Sequence, residues 1–244
     1  MKQSIWTKTY DVNTIVLDSS KRIGLWGMLN LLQDIAWLHA EHLGWGYEDL
    51  IKRNTIWVLA RQKLVMRDWP VWGDAVTIKT WPRGGAGALA TRDFEIYVEE
   101  RKLGECTTSW LTLNWTTRRP QKLDRDSFRL ENPAKALGFD AQKIAARSDL
   151  KPATTFLVRN SDLDVNGHVN NTRYAQWIVD TMMGDELAAS RIEEYEINFL
   201  SETGVGDCVV IEKSEPEGGC CQYQGRRQDE DKPAFVARLT TRPR

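Results

Sequence analysis

Asp164, Asn166 and His168 fall on alternate residues of Asn160-Ser161-Asp162-Leu163-Asp164-Val165-Asn166-Gly167-His168-Val169-Asn170-Asn171, a stretch that gathers carboxylate, amide and imidazole groups. In an extended approach these three side chains share one side of the backbone, with Val165 and Gly167 facing away. A helix starting at Asn170 or Asn171 would turn unpaired N–H groups and the positive end of its dipole toward the same place. That combination suits acid–base chemistry beside a carbonyl oxygen held by N–H donors near Gly167 and His168. Asp164 and Asn166 also suit turn and cap duties, and Asn170 and Asn171 are cap residues first and ligand contacts second.

The elements that must position this stretch come in two rounds. Ile5 to Leu17 alternates as a strand does, and Leu25, Met28, Leu29, Leu32, Ile35 and Ala36 then follow at helical spacing from Gly24 to about His42, with a short helical piece at Tyr47 to Leu50. Strand-like runs follow at Trp57 to Met66, Asp74 to Trp81, Ala88 to Glu99 and Leu103 to Thr116. Residues 118–150 read as a charged linker containing Pro120 and Pro133, with a short helix expected near Ala141 to Ala146. The order then returns: a strand at Thr155 to Arg159, a helix at Thr172 to Leu187, and strands at Arg191 to Leu200, Cys208 to Ser214, Gly219 to Arg227 and Phe235 to Thr241. Val71-Trp72-Gly73-Asp74 is echoed by Gly204-Val205-Gly206-Asp207, and Arg61 to Leu64 is set against Tyr195 to Asn198.

A helix that an antiparallel sheet must cover, occurring twice, predicts an α+β double hotdog. Its modules would be 1–117 and 151–244. Registering the helix starts sets Gly24 opposite Gly167 and Leu25 opposite His168, so the first half is expected to supply apolar volume and the second the reacting groups.

Composition narrows the function. Hydrophobic residues make up 41% and charged residues 27% of 244, the balance of a soluble globular chain, and no apolar run is long enough to cross a bilayer. A net charge of -1 gives no overall field for nucleic acid. No apolar h-region follows Met1, which points to the cytoplasm. The four cysteines lack metal-ligand spacing and read as free thiols. His39 and His42 make a weak metal pair with no third ligand, and Gly84 to Gly87 lacks the Lys-Ser/Thr of a phosphate loop.

The segment from Asn160 to Tyr174 resembles the signature of the acyl-ACP (acyl carrier protein) thioesterases. Leu32-Gln33-Asp34-Ile35-Ala36 with His39, Lys52 to Val58, Pro70-Val71-Trp72-Gly73-Asp74 and Thr80-Trp81 resemble family segments in the same order. The resemblance implies a double hotdog without metal or organic cofactor. It makes Asp164, Asn166 and His168 the catalytic Asp, Asn and His. Phe199-Leu200-Ser201-Glu202-Thr203 falls where plant members carry a Glu-Cys pair, which carries the catalytic glutamate to Glu202 and puts Thr203 in the cysteine position.

The implied reaction is hydrolysis of acyl-ACP to a free fatty acid by water that Glu202 and His168 activate. Either group suits the base, and direct attack by Glu202 to form an anhydride is a second route. Asn166 would orient the imidazole or the water, and Asp164 would hold His168 or a turn. Met28, Leu29, Leu32 and Trp57 are expected to bound the acyl pocket, with Gly167 and Asn171 contacting substrate. An acidic carrier protein calls for a basic docking face, for which Arg118, Arg119, Arg147, Lys151, Arg159 and Arg173 are candidates. An acyl-CoA thioesterase, a hydroxyacyl dehydratase and a non-catalytic acyl-binding hotdog protein are the rival readings. The two halves form a pseudo-dimer, so a homodimer is compatible and not required.

Overall fold

The computed structural model describes residues 3–122 and 136–244. Pro133 and the rest of the expected linker at 123–135 lie outside the described residues. The strands are β1 (Trp6–Asp11), β2 (Thr55–Met66), β3 (Ala75–Ala86), β4 (Leu89–Val98), β5 (Arg101–Asn114), β6 (Lys151–Leu157), β7 (Ser190–Phe199), β8 (Cys208–Lys213), β9 (Cys220–Arg227) and β10 (Pro233–Pro243). They form one antiparallel sheet in the order β1-β3-β4-β5-β2-β7-β10-β9-β8-β6. The two halves therefore meet edge to edge, where β2 pairs with β7 from Arg61↔Asn198 to Val65↔Glu194.

Helix α1 (Leu25–Leu43) forms where the apolar spacing predicts it, and it stops at Gly44, whose φ of 79° suits a residue without Cβ. Short α2 (Tyr47–Lys52) follows. In the second half the single expected helix is two, α3 (Asn171–Val179) and α4 (Gly184–Ala189). Thr181 donates its hydroxyl to Ile178 O at 2.7 Å, and Met183 is extended, which ends the first before Gly184 opens the second. Thr172 Oγ1 donates to Asn30 Oδ1 at 3.0 Å, bonding α3 to α1. One hydrophobic cluster runs through both halves, from Met28, Leu32 and Ile78 to Tyr195, Ile211 and Phe235, as a double hotdog requires. No helix among the described residues is long and apolar enough to cross a membrane.

The other face of the second-half strands is covered by 142–147. No helix forms at Ala141 to Ala146; the segment is an extended strap. Strand alternation explains why: Tyr195, Ile197, Cys221 and Tyr223 point into the core, so Glu196, Asn198, Gln222 and Gln224 point out beneath it. Glu196 Oε1 accepts the Gln142 N–H at 2.6 Å and Asn198 Oδ1 the Ile144 N–H at 2.8 Å. Asn198 Nδ2 and Gln222 Nε2 donate to Gln142 O and Ala145 O at 2.9 and 2.8 Å. Backbone groups that a helix would pair internally are paired to the sheet instead.

The internal repeat appears in matched hydrogen bonds. Asp18 N–H to Arg22 O and Asp164 N–H to His168 O are both 2.8 Å, and Lys21 N–H to Asp18 O and Gly167 N–H to Asp164 O are both 3.1 Å. Val71 N–H to Asp74 Oδ2 recurs as Gly204 N–H to Asp207 Oδ2. These matches put Gly24 opposite Asn170 and Arg22 opposite His168, so the expected register of Leu25 with His168 is three residues out. The match of Arg61–Leu64 with Tyr195–Asn198 also fails, because Arg61 pairs with outward Asn198 while Tyr195 is in the core.

Asn198→Leu strips two strap bonds from a buried position and should cost about 2 to 4 kcal/mol in urea unfolding, since both backbone groups lose their partners. A loss under about 0.5 kcal/mol would show that the strap does not depend on them.

Candidate active site

The Asp164–His168 stretch is a hairpin, not an extended strand. Leu163 bridges Val169, and Gly167 sits at φ 78° in the turn, where a Cβ would be strained. Asp164 and His168 therefore lie across from each other, with Asn166 at the tip. Asp164 Oδ1 accepts the Asn166 N–H at 2.8 Å and Oδ2 faces Asn166 Nδ2 at 3.4 Å, so this carboxylate shapes the turn and holds Asn166. The Gly167 N–H is spent on Asp164 O and cannot serve an oxyanion. The base of the hairpin is held by Asn170 N–H to Asp162 O at 2.8 Å, and by Arg173 on Ser161 O at 2.8 Å.

Glu202 arrives on the segment after β7. The Val169 N–H donates to Thr203 O at 2.9 Å, fastening the hairpin to that segment one residue from His168 and one from Glu202. His168 Nε2 lies 3.3 Å from Glu202 Oε2, with the side chains 32% and 47% exposed. Arg118 Nη1 lies 3.6 Å from Glu202 Oε1, and Arg227 Nη1 donates to Glu202 O at 2.6 Å. Thr203 is 1% exposed and its hydroxyl bonds the Tyr174 hydroxyl. Burial pushes that phenol up to about 12, so it supplies no base for a threonine nucleophile.

A cavity of about 790 Å³ opens beside the hairpin, walled by one face of α1 (Ala36, Trp37, Ala40, Leu43), by α2, and by Trp45, Trp57, Trp110 and Trp115. Asp164, Asn166, Asn170 and Asn171 line it too, which brings the N-terminal end of α3 to its wall. His168 and Glu202 are not in its lining. Asp34 and Arg92 also line it, and Arg92 is buried; its Nη1 donates to His39 Nδ1 at 3.0 Å and to Thr80 Oγ1 at 3.2 Å. Both partners are neutral. Burial first, and then the Arg92 charge, hold His39 down at about 4, and its Nε2 is bonded to Gln3 O at 3.0 Å.

The acyl-ACP thioesterase N-terminal domain matches residues 3–130 and the C-terminal domain matches residues 146–238. The chain belongs to the acyl-ACP thioesterase family. It is 26% identical over 233 residues to the chloroplastic dodecanoyl-acyl-carrier-protein hydrolase of Cinnamomum camphora, a match covering 88% of this chain and 60% of that one. With oleoyl-acyl carrier protein thioesterase 1 of Arabidopsis thaliana it shares 27% over 230 residues, 85% of this chain and 62% of the other. The chain thus spans about 60% of the length of these curated relatives. The fold recurs in an acyl-ACP thioesterase from Bacteroides thetaiotaomicron (TM-score 0.88, 22% identity, 98% of both chains). It recurs again in the 12:0-ACP thioesterase from Umbellularia californica (TM-score 0.86, 20% identity, 100% of this chain and 99% of that one).

Within this acyl-ACP thioesterase frame, the residues singled out from sequence separate into three places. His168 and Glu202 meet; Asp164, Asn166, Asn171 and Trp57 line the cavity. Met28, Leu29 and Leu32 do not: they are at most 1% exposed in the core, on the face of α1 turned from the cavity, and Gly167 is outside the lining as well. The pocket face of α1 is the neighbouring side of the helix, polar at Asn30, Gln33 and Asp34 and apolar at Ala36, Trp37, Ala40 and Leu43. Arg118 is the side chain whose place beside Glu202 spacing did not reveal, because it comes from the other half of the chain.

His39 carries a pH prediction. Its folded value near 4 lies below the ordinary 6.5, so the unfolded chain takes up the proton first as pH falls. The stability it protects is fully present above about pH 6.5, and about 3 kcal/mol is withdrawn on descent toward pH 4. Unfolding free energies of wild type and His39→Gln across that window should show a flatter slope for the variant; parallel curves would refute the assignment.

Proposed function

We propose that this chain hydrolyses the thioester of an acyl-acyl carrier protein to release a free fatty acid, with His168 and Glu202 activating water. The observation that carries this reading is the 3.3 Å His168–Glu202 pair, held by a backbone bond beside a cavity of about 790 Å³. A cavity of that size, walled by tryptophans and aliphatic side chains, suits a fatty chain. The pair is partly exposed, which gives water a path to the carbonyl carbon from the solvent side.

In the proposed reaction one proton of the attacking water passes to the Glu202–His168 pair while its oxygen bonds the carbonyl carbon. The developing oxyanion is met by the N-terminal end of α3 and the Asn166 amide. Collapse expels the pantetheine sulfur as a thiolate, a good leaving group, and the proton returns to it. Asp164 acts through Asn166, whose backbone N–H and amide it holds. Thr203, buried against Tyr174, has no part as a nucleophile.

For the carrier, Arg119 and Arg159 are exposed and without ion-pair partners among the described residues, and they flank the segments that bear Arg118 and the hairpin. Arg147, Lys151 and Arg173 are instead engaged with Asp149, Glu215 and Asp162. An acidic carrier fits that basic rim.

Steady-state hydrolysis of acyl-ACP and acyl-CoA across chain lengths tests the reading. His168→Ala and Glu202→Ala should each lower kcat by about a hundredfold or more with the fold intact. Wild-type rates in both variants would dismiss the site, and faster turnover of acyl-CoA would transfer the substrate to that class. In the same assay Ala40→Phe, which puts a ring into the cavity wall, should shift preference toward shorter acyl chains; an unchanged profile would mean the chain lies elsewhere.

A further inference from the structure

Glu202 is a long side chain on an exposed segment, and such a group samples several rotamers unless something stops it. Here each oxygen has its own partner: Oε2 faces His168 Nε2 at 3.3 Å and Oε1 faces Arg118 Nη1 at 3.6 Å. No other side chain among the described residues is within ion-pair distance of that carboxylate. The remaining charges nearby act less directly. Arg227 binds the Glu202 carbonyl and pairs with Glu230, while Asp164 and Asp207 bear on the Tyr174 hydroxyl below.

Arg118 is itself set in place by a built turn. Asn114 ends β5, and its Oδ1 accepts the Thr116 and Thr117 N–H groups at 3.1 and 2.9 Å. The Arg118 N–H donates to Asn114 O at 2.9 Å, and Arg118 has a φ of 55°, an uncommon left-handed conformation for a residue with a side chain. Its guanidinium lies 5.9 Å from the Trp115 ring, part of the cavity wall. The hydrogen bonds of the turn hold this conformation, and it delivers a cation across the seam between halves, where a half-exposed ion pair adds little to stability.

We propose that Arg118 is a positioning residue which reaches from the first half of the chain to hold the Glu202 carboxylate toward His168. The proposal rests on the Glu202–His168 reading above. By it, the reacting pair of the second half is incomplete without the turn that follows β5. Arg118 touches neither substrate nor water; it removes the rotamers of Glu202 that turn away from the imidazole.

The test is a double-mutant cycle on the full chain with dodecanoyl-ACP, reading kcat and KM for wild type, Arg118→Ala, Arg118→Lys, Glu202→Gln and Arg118→Ala/Glu202→Gln. Arg118→Ala should lower kcat about tenfold or more with KM changed less than about twofold, and Arg118→Lys should recover most of the loss. In the Glu202→Gln background the same Arg118→Ala change should have less than about a twofold effect. Equal losses in both backgrounds, or a loss confined to KM, would overturn the proposal and make Arg118 a carrier contact. Wild-type kcat in Glu202→Gln would instead remove the underlying site, a failure separate from that of Arg118. Thermal melts of each variant separate misfolding from catalysis, and Arg118→Met, which keeps the stem over Trp115, repeats the cycle if alanine lowers Tm.

Discussion

The antiparallel pairing of β2 with β7 is the contact on which the rest of the arrangement depends. Ladder bonds from Arg61↔Asn198 to Val65↔Glu194 make one sheet of ten strands, and side chains on its inner side make one core. That ladder fixes the two modules against each other through backbone pairing. It brings the cavity between α1 and β2–β5 against the hairpin ahead of α3, and the turn after β5 against the segment after β7. Each half offers what the other lacks.

The two halves are copies in backbone and unlike in chemistry. The first-half hairpin keeps the Asp18 turn, with Ser20 N–H on Asp18 Oδ1 at 2.8 Å just as Asn166 N–H sits on Asp164 Oδ1. Where His168 stands in one, Arg22 stands in the other, bonded to Trp69 O at 3.2 Å and 3.5 Å from Asp68. By the separate match of Asp74 with Asp207, Trp69 occupies the place of Glu202, and its indole N–H is committed to Ile192 O at 2.7 Å across the seam. The first copy of the loop therefore has structural bonds at both positions where the second has titratable groups. What persists in both is the hydrogen-bond frame, because it shapes the approach to a helix whatever side chains it carries.

Local features were the legible ones. The spacing of Leu25 to Ala36 gave α1, and the cluster from Asp164 to Asn171 marked the hairpin, since each depends on residues a few positions apart. Glu202 follows from the family resemblance and not from local spacing, because it is 34 residues from His168 and the Val169–Thr203 bond brings the two segments together. Three things escaped for physical reasons. Ala141 to Ala146 has helix-forming residues, but Asn198, Glu196 and Gln222 beneath it outbid the helix for its backbone groups. The apolar spacing of α1 marks its core face, whereas the face that meets the cavity mixes Asn30, Gln33 and Asp34 with Ala36, Ala40 and Leu43 and carries no apolar period of its own. And Leu25 does not stand opposite His168 because the glycines at 24 and 167 are not equivalent positions, whereas the Asx turns at Asp18 and Asp164 are.

The cavity wall joins polar and apolar groups. The hairpin and the start of α3 contribute Asp164, Asn166, Asn170 and Asn171, and α1 adds Asn30, Gln33 and Asp34; tryptophans and aliphatic side chains supply much of the rest, with Arg92 set into the wall. Arg92 remains a cation despite burial, since burial pulls it down only to about 10, and its two partners are neutral. A protonated His39 beside it would place two like charges in one dry region, and the 3.0 Å bond from Arg92 to Nδ1 requires a lone pair there. The imidazole is therefore an acceptor by necessity, and the charge in the wall depends on it. The same residue type stands in different surroundings in the two halves: His39 is sealed and fixed neutral to satisfy a cation, while His168 is partly open to solvent and faces the Glu202 carboxylate at 3.3 Å.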